Sequence, residues 1–215
     1  NRDCLPQPPT RMMRTPDLPV FVDYRNDPAV AALQAWELPY PTERAMALLS
    51  AQDRIDAPVL GEWTQVAIEY EGTMVGDLAL HLHDDGARAE IGFTLATRHQ
   101  GNGYAQEAAG ALVDALFEHT GVRRIEASLD PANIASMRVL EAIGMQYECL
   151  AREAFEWRGT WVDDLRYSML AAERKAWRER DRSPARDVTF EEITSETARL
   201  WGQLTTHWSQ RRFVA

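Results

Sequence analysis

The sequence predicts an α+β fold around one central, mixed β-sheet flanked by helices, and three patterns carry the prediction. Residues 65–95 alternate apolar and polar side chains in three runs separated by polar turns, which is typical of an antiparallel meander. A strong amphipathic helix at 105–117 then leads to a strand at 124–129, and this order requires a crossover to a parallel neighbour. Two last runs, at 146–157 and 161–170, flank a turn and form a hairpin.

Three further helices are expected around this sheet. The first begins at Pro16 and places apolar residues such as Phe21 and Tyr24 on one face, and the second occupies residues 41–51. The third follows the strand at 124–129, where Asn133 is a good N-cap residue. Met137, Leu140 and Ile143 would face inward from it, and Gly144 would end it.

The predicted main domain covers residues 15–172. Residues 1–14 are expected to form an irregular lead-in, with a short strand at 11–14, because their prolines remove backbone donors. A charge-dense stretch at 173–187 lacks an apolar stripe, which predicts a solvated linker or a frayed helix.

Composition and charge exclude several classes of protein. The 215 residues are 45% hydrophobic and 26% charged, as in ordinary globular chains, and no apolar run is long enough to cross a membrane. The formal net charge of -10 disfavours nucleic acid and favours a cationic partner. The two cysteines are too few for a disulfide framework, so a cytoplasmic location is expected. His81 and His83, next to Asp84 and Asp85, could form half of a metal site, but no cysteine lies nearby and no third histidine has ligand spacing, so no metal is expected.

The most informative motif is a glycine-rich turn between a strand and the strongest helix, residues 98–105 (RHQGNGYA). Such a turn presents unpaired backbone N–H groups and the positive end of a helix dipole to an anion, typically a phosphate. A Walker loop is excluded because it needs a lysine, and Lys175 is the only lysine in the chain. A Rossmann loop would have glycine or alanine where Gln106 stands and would open the first βαβ unit. The remaining alternative is a tight turn with no ligand.

The motif R-x-x-G-x-G at Arg98, Gly101 and Gly103 resembles the acyl-CoA pyrophosphate loop of the GCN5-related N-acetyltransferases (GNAT). Residues 133–145 are similar to that family's N-x-x-S-x-x-x-L-x-x-x-G-F/M stretch, and residues 89–93 resemble its fourth strand. The order of motifs is most similar to the RimJ/RimL-type branch. The resemblance implies the GNAT fold, with a partly splayed sheet, and acetyl-CoA as cosubstrate.

The resemblance also implies the residues that hold acetyl-CoA. Arg98 and the backbone N–H groups that follow it would bind the pyrophosphate; these are Gly101, Asn102, Gly103, Tyr104 and Ala105. The strand end at Phe93, Thr94 and Leu95 would offer backbone groups, including a donor for the oxyanion. Asn133 and Ser136 would hold the cofactor arm.

The reaction itself requires a proton acceptor, because an alkyl amine with a pKa of about 10 is an ammonium ion at neutral pH. Glu90 is the candidate base, and the alternative is that its carboxylate faces outward from the strand. Many family members place a tyrosine proton donor where this chain has Leu140, so Ser136 is the candidate acid. The alternative for Ser136 is an ordinary hydroxyl in the first turn of a helix.

The predicted function is therefore direct transfer of an acetyl group to a primary amine, either a protein N-terminus or a cationic small molecule. Acidic residues at Glu156, Asp163 and Asp164 favour a cationic acceptor. The alternatives are a catalytically silent acyl-CoA-binding or scaffold module, which the missing tyrosine would suit, and a nucleotide-binding protein.

The C-terminal tail, residues 188–215, carries a weaker resemblance to the start of a second GNAT domain, with a strand at 188–193 and an amphipathic helix at 196–208. A segment of this length cannot bury a core of its own, so we expect the tail to dock. A homodimer built by exchange of the tail between two copies is the hypothesis, with docking on its own domain as the alternative.

Overall fold

The computed structural model describes residues 10–180 of the chain. Seven strands form one sheet: β1 (Thr10–Met12), β2 (Trp63–Tyr70), β3 (Thr73–Leu82), β4 (Arg88–Leu95), β5 (Arg124–Leu129), β6 (Gln146–Trp157) and β7 (Thr160–Leu170). The helices are α1 (Leu18–Arg25), α2 (Pro28–Ala31), α3 (Thr42–Gln52), α4 (Tyr104–His119), α5 (Ile134–Ala142) and α6 (Ala171–Glu179). The predicted α+β class is confirmed.

The order of strands across the sheet is β1-β2-β3-β4-β5-β7-β6. All neighbours are antiparallel except β4 and β5, which the α4 crossover makes parallel. The parallel pairing covers only Arg88–Glu90 against Arg124–Glu126, although both strands continue beyond it. The sheet is therefore mixed and splayed between β4 and β5, as the resemblance implied.

The side chains of the sheet alternate between two covered faces. Asp77 of β3 contacts Tyr24 of α1, and its register partners Ala67 and Thr94 share that face. The intervening residues, among them Leu78, Ile91 and Ile125, are buried on the opposite face under α4 and α5. The helix predicted from the strongest periodicity, α4, thus covers the centre of the sheet and places its N-terminus at the end of β4.

The structure corrects the expected lead-in. A strand forms at Thr10–Met12 rather than at 11–14, and it pairs with β2 at the edge of the sheet. Arg11 fixes this strand, because its guanidinium donates to Asp17 at 2.7 and 2.8 Å and to Glu69 at 2.9 Å. The ordered domain thus begins before residue 15.

Of the two alternatives for the charge-dense stretch, a helix is observed at residues 173–179, which form most of α6, but it is docked rather than frayed. Arg174 is buried, donates to Asp114 at 2.7 Å and reaches the backbone carbonyl of Ile143 at 2.6 Å. Trp177 packs against Gly144 so closely that a Cβ there would lie 2.5 Å from the indole. A charged residue and one tryptophan therefore dock this helix without an apolar stripe. The rest of the linker and the tail at 188–215 lie outside the described residues.

Candidate active site

A cavity of about 210 Å³ opens where β4 and β5 part. Its lining comes from β4, β5, α5, the β6–β7 hairpin and the loop after α2. The lining includes Gly92, Phe93, Ser128, Asp130, Asn133, Ser136, Leu140, Phe155, Trp157, Val162, Asp163, Asp164 and residues 32–35. Non-adjacent segments thus meet at the interruption in the sheet.

The cavity joins the two faces of the sheet. Phe93 lies on the face covered by α5, and we call the wall formed with Asn133, Ser136 and Leu140 the α5 side. Ser128 lies opposite Arg166 in the β5–β7 register. Because side chains alternate along a strand, Asp164 lies on the same face as Arg166 and Ser128, which is the face that packs on α1. We call the wall formed by residues 32–35 and the β6–β7 hairpin the hairpin side.

The glycine loop (residues 98–105) leads into the N-terminus of α4. Gly101 and Gly103 have φ of +78° and +87°, in the left-handed region that favours glycine, and nothing lies within 4 Å of a Cβ built on either. Glycine is required here for conformation, and the space above it is open. No side chain caps α4, whose N-cap is Gly103. The loop therefore leaves the positive end of a 16-residue helix open to an anion.

Other loop residues hold this shape. Asn102 donates from Nδ2 to the carbonyls of His99 and Gln100 at 3.2 and 3.1 Å. Arg98 is exposed, and its Nε donates to His99 Nε2 at 3.1 Å. Burial and the Arg98 charge lower the pKa of His99, so the imidazole accepts this bond in its neutral form. Tyr104 packs against the Tyr70 ring with centroids 4.9 Å apart, and Ala105 is buried at the first turn of the helix.

The end of β4 offers backbone groups to the cavity. Hydrogen bonds from Ala96 N to Val75 O and from His83 N to Arg88 O show that even-numbered residues of β4 bond to β3. The backbone groups of Phe93 and Leu95 therefore point toward β5, whose pairing has already ended. Thr94 differs from the sequence expectation, because its backbone lies in the ladder with β3 and its side chain is buried.

The α5 side contains the residues expected from the N-x-x-S motif. Asn133 caps α5, and its side-chain oxygen accepts a hydrogen bond from Ser136 N at 3.0 Å. Asn133, Ser136 and Leu140 all line the cavity, and Leu140 is only 1% exposed. Leu140, at the position where many family members have a tyrosine donor, is thus an apolar part of the wall.

Glu90 lies beside the cavity rather than on its lining. It is the last residue of β4 paired to β5, and Ser128 Oγ, which does line the cavity, donates to Glu90 Oε1 at 3.4 Å. Burial raises the pKa of the Glu90 carboxyl, and the nearby Glu126 charge raises it further. The Ser128 hydroxyl thus lies between the Glu90 carboxylate and the cavity. The sequence alone did not specify which face of the strand Glu90 occupies.

The hairpin side contains two carboxylates, of Asp163 and Asp164, and a third, of Asp130, lines the cavity from the turn before α5. Asp164 is buried at 8% exposure, and this burial raises the pKa of its carboxyl. Glu156, the other acid singled out in the sequence, lies outside the lining and is exposed.

Two long-range contacts that sequence reasoning missed hold the hairpin side together. Arg158, in the β6–β7 turn, donates to the Trp36 carbonyl at 3.2 Å. Trp36 in turn donates from its indole to the Arg25 carbonyl at 3.0 Å. The residues were visible in the sequence, but nothing local indicates that they meet.

Arg25 is the centre of a buried network beneath this wall. Its guanidinium pairs with Asp77 at 3.2 Å and lies 4.2 and 4.4 Å from the ring centroids of Phe21 and Trp36. Tyr24 donates its hydroxyl to the same Asp77 carboxylate. The network ties α1 and the start of the α2–α3 connection to β3, and so fixes the position of residues 32–35.

His81 and His83 serve packing in the described part of the chain. His81 stacks on Trp63 with centroids 5.1 Å apart and meets His83 edge-on at 4.9 Å. No cluster of three or more metal-binding side chains occurs within residues 10–180. Over the same residues, no helix is both long and apolar enough to span a membrane.

Comparison with known proteins identifies relatives of this architecture. The sequence profile of the Acetyltransferase (GNAT) domain matches residues 10–146. An uncharacterized N-acetyltransferase, p20, of Bacillus licheniformis is 30% identical over 166 residues, which cover 76% of this chain and 92% of the relative.

Solved structures show the same fold. A spermidine N-acetyltransferase from Vibrio cholerae, in complex with CoA and spermine, superposes with a TM-score of 0.67 at 20% identity, over 79% of this chain and 98% of that one. RimL, a ribosomal L7/L12 alpha-N-protein acetyltransferase in complex with coenzyme A, gives a TM-score of 0.64 at 19% identity, over 75% and 92% of the two chains.

Proposed function

This chain belongs to the GNAT family and is an acetyl-CoA-dependent N-acetyltransferase, and we propose that its acceptor is a cationic primary amine. The single observation that carries the proposal is the cavity at the splay, whose lining includes Asn133 and Ser136 on one side and the buried carboxylate of Asp164 on the other. Relatives of this fold include enzymes named for spermidine and for a protein N-terminus, so both a small amine and a peptide amine are candidates.

The glycine loop would hold the pyrophosphate. Its open backbone and the N-terminus of α4 supply donors and a positive potential, and Arg98 supplies a formal charge. Gly101, Asn102, Gly103, Tyr104 and Ala105 are the residues proposed to donate. The fit rests on the positive φ of both glycines and on the lack of a side-chain cap, since either a Cβ or a cap would compete with the anion.

The backbone of β4 would hold the acyl group. Phe93 and Leu95 point their backbone groups into the splay, so the Phe93 N–H is our proposed donor to the oxyanion that forms when the amine attacks the thioester. Acetyl-CoA supplies an activated acyl carbon at this point. The preformed strand end would stabilise the developing charge without reorganisation.

Glu90 would take the proton that the ammonium ion loses before attack. Ser128 lies between Glu90 and the cavity, so the proton would pass through the Ser128 hydroxyl or a water beside it. The raised pKa of Glu90 makes its carboxylate a stronger base than an exposed glutamate. On the α5 side, Ser136 is our proposed proton donor to the departing thiolate, since Leu140 offers none.

Release of free thiol from acetyl-CoA tests the proposal. The protein is incubated with acetyl-CoA and, separately, n-butylamine, 1,4-diaminobutane, spermidine and a peptide with a free alanyl N-terminus. We expect amine-dependent release with at least one of them. Binding of acetyl-CoA in calorimetry without any thiol release would support the silent binding module instead.

Substitution of Glu90 by glutamine tests the base. In the wild type, kcat/KM should rise with pH through the raised pKa of Glu90. The Glu90→Gln variant should have a lower kcat/KM, and its kcat/KM should no longer show this rise with pH. A variant with an unchanged rate and profile would remove Glu90 from the mechanism.

A further inference from the structure

The three carboxylates that line the cavity, of Asp130, Asp163 and Asp164, are not equivalent. Asp130 Oδ1 accepts the Ala132 N–H at 2.7 Å and so shapes the turn before α5. Asp163 Oδ1 accepts the Glu153 N–H at 2.9 Å and so holds the β-bulge of β6, where Glu153 has a φ of +47°. Both side chains therefore have a structural task in their own segments.

Asp164 has no such task. Within residues 10–180 its carboxylate has one partner, the Arg166 Nε, at 3.2 Å from Oδ2. The Arg166 side chain is 55% exposed, whereas that of Asp164 is 12% exposed and lines the cavity. A buried carboxylate with a single, solvated partner retains unmet capacity for a cation, and its raised pKa reflects that uncompensated burial.

The position of Asp164 separates it from the reacting centre. Phe93 lies on β4 and Asp164 on β7, with β5 between them. Paired strands lie about 4.8 Å apart and β4 has already separated from β5 at Phe93, so the lateral distance is at least about 10 Å. The wall near Asp164 includes the side chains of Phe155, Trp157 and Val162, which suit an alkyl stem. A group bound at Asp164 is therefore not the nitrogen that attacks at Phe93.

We propose that Asp164 binds a second, non-reacting cationic group of the acceptor, which makes it a specificity-determining residue and makes alkyl diamines or polyamines the preferred class. The inference rests on the proposed function and extends it from a cationic amine to one with two cationic groups. The apolar wall would pack against the stem between them.

A matched pair of amines tests this assignment. n-Butylamine and 1,4-diaminobutane have the same four-carbon stem and differ in one ammonium group. For the wild type we expect the diamine to be preferred in kcat/KM. Asp164→Asn should raise the KM of the diamine at least about tenfold, as expected for the loss of a charged hydrogen bond, with little change in kcat, and should raise the KM of butylamine much less.

The control is Glu153→Gln, which removes a carboxylate from the same hairpin but outside the cavity lining. It should leave the kinetics of both amines unchanged. Unchanged affinity of Asp164→Asn for acetyl-CoA in calorimetry verifies that this variant is folded. Equal losses for the two amines, a similar loss in Glu153→Gln, or no preference of the wild type for the diamine would each overturn the assignment.

Calorimetric titration of 1,4-diaminobutane into CoA-saturated protein separates this inference from the proposed function. Binding that is at least about tenfold weaker in Asp164→Asn supports the assignment even if no thiol is released, a result that would overturn only the acetyl transfer. Absence of diamine binding to the wild type overturns the assignment.

Discussion

On the α5 side of the cavity and in the glycine loop, the contacts that set the local shape join residues close in the chain, whereas the hairpin is tied to the loop after α2 by a contact between distant segments. Asn133 caps Ser136 three residues later, and Asn102 bonds carbonyls two and three residues before it. Arg158 reaches Trp36 across 122 residues. The proposed cosubstrate site is thus a product of local conformation, and the proposed acceptor site exists only when the whole domain has folded.

This difference predicts different responses to mutation. Local motifs can lose ligand affinity while the fold persists, because their backbone shape is set by a few neighbouring residues. The hairpin side depends on the buried Arg25–Asp77 network, so its loss should appear first as a loss of stability.

The largest effect is expected for Asp77→Asn. The variant leaves the buried Arg25 cation without its counterion, and removal of one partner of a buried pair costs about 3–5 kcal/mol. The free energy of unfolding, measured with urea, should fall by that amount. Acceptor KM should also rise, because residues 32–35 lose their support.

The double variant Arg25→Met/Asp77→Asn is the control for this comparison. It removes the unpaired cation, so its loss of stability should be smaller than the sum of the two single losses. An Asp77→Asn protein as stable as the wild type would show that the hairpin side does not depend on this network.

A smaller effect, confined to the cosubstrate, is expected for Asn102→Asp. The new carboxylate lies in the loop that is proposed to bind the pyrophosphate, and it lacks the N–H donors that Asn102 gives to the carbonyls of His99 and Gln100. Like charges repel, so the affinity for acetyl-CoA should fall at least about tenfold in calorimetry at low salt, and salt should reduce the loss.

Asn102→Ala separates charge from loop shape, since it removes the same donors without adding a carboxylate. Its loss of affinity should be the smaller of the two and nearly independent of salt. Equal affinities for wild type and Asn102→Asp would place the pyrophosphate elsewhere.

The same contrast explains what the sequence could predict. The meander, α4, the crossover and the last hairpin follow from apolar periods of 2 and 3.6, which are local signals. The glycine loop and the Asn133 cap are local as well. By contrast, α2 has only four residues, and α6 is held by Arg174 and Trp177 rather than by an apolar stripe, so neither has a periodic signature.

The splay itself was expected only from the resemblance. Nothing in the residues of β4 and β5 indicates that pairing ends after Glu90, because strand composition does not specify how far two strands stay together. The position of Glu90 behind Ser128, and of Asp164 on the lining, follows from that end point. The geometry of the candidate site therefore depends on strand register, which a single sequence specifies only weakly.

The smallest effect concerns Glu90, which lies where the two sides of the cavity meet. Its pKa is raised in the folded protein by burial and by Glu126, so the folded state disfavours its charged form. Wild-type stability is therefore lost as pH rises from the unfolded pKa through the folded pKa. Glu90→Gln removes this cost and can still accept from Ser128, so its Tm should exceed that of the wild type at pH 7.

This gain should shrink as pH falls and vanish near pH 4, because the wild-type carboxyl is then protonated in both states. Glu126→Gln is the matched control. It loses the partly exposed pair with Arg124 at 2.7 Å but also removes the charge that repels Glu90, so its Tm should change little at pH 7. The charged Glu90 carboxylate destabilises the folded protein at neutral pH, but it is also a stronger base next to the cavity, as proton transfer from an ammonium ion requires. A Tm of Glu90→Gln that is equal to or below the wild-type value at pH 7 would mean that the Glu90 carboxylate is well solvated and that its pKa is not raised.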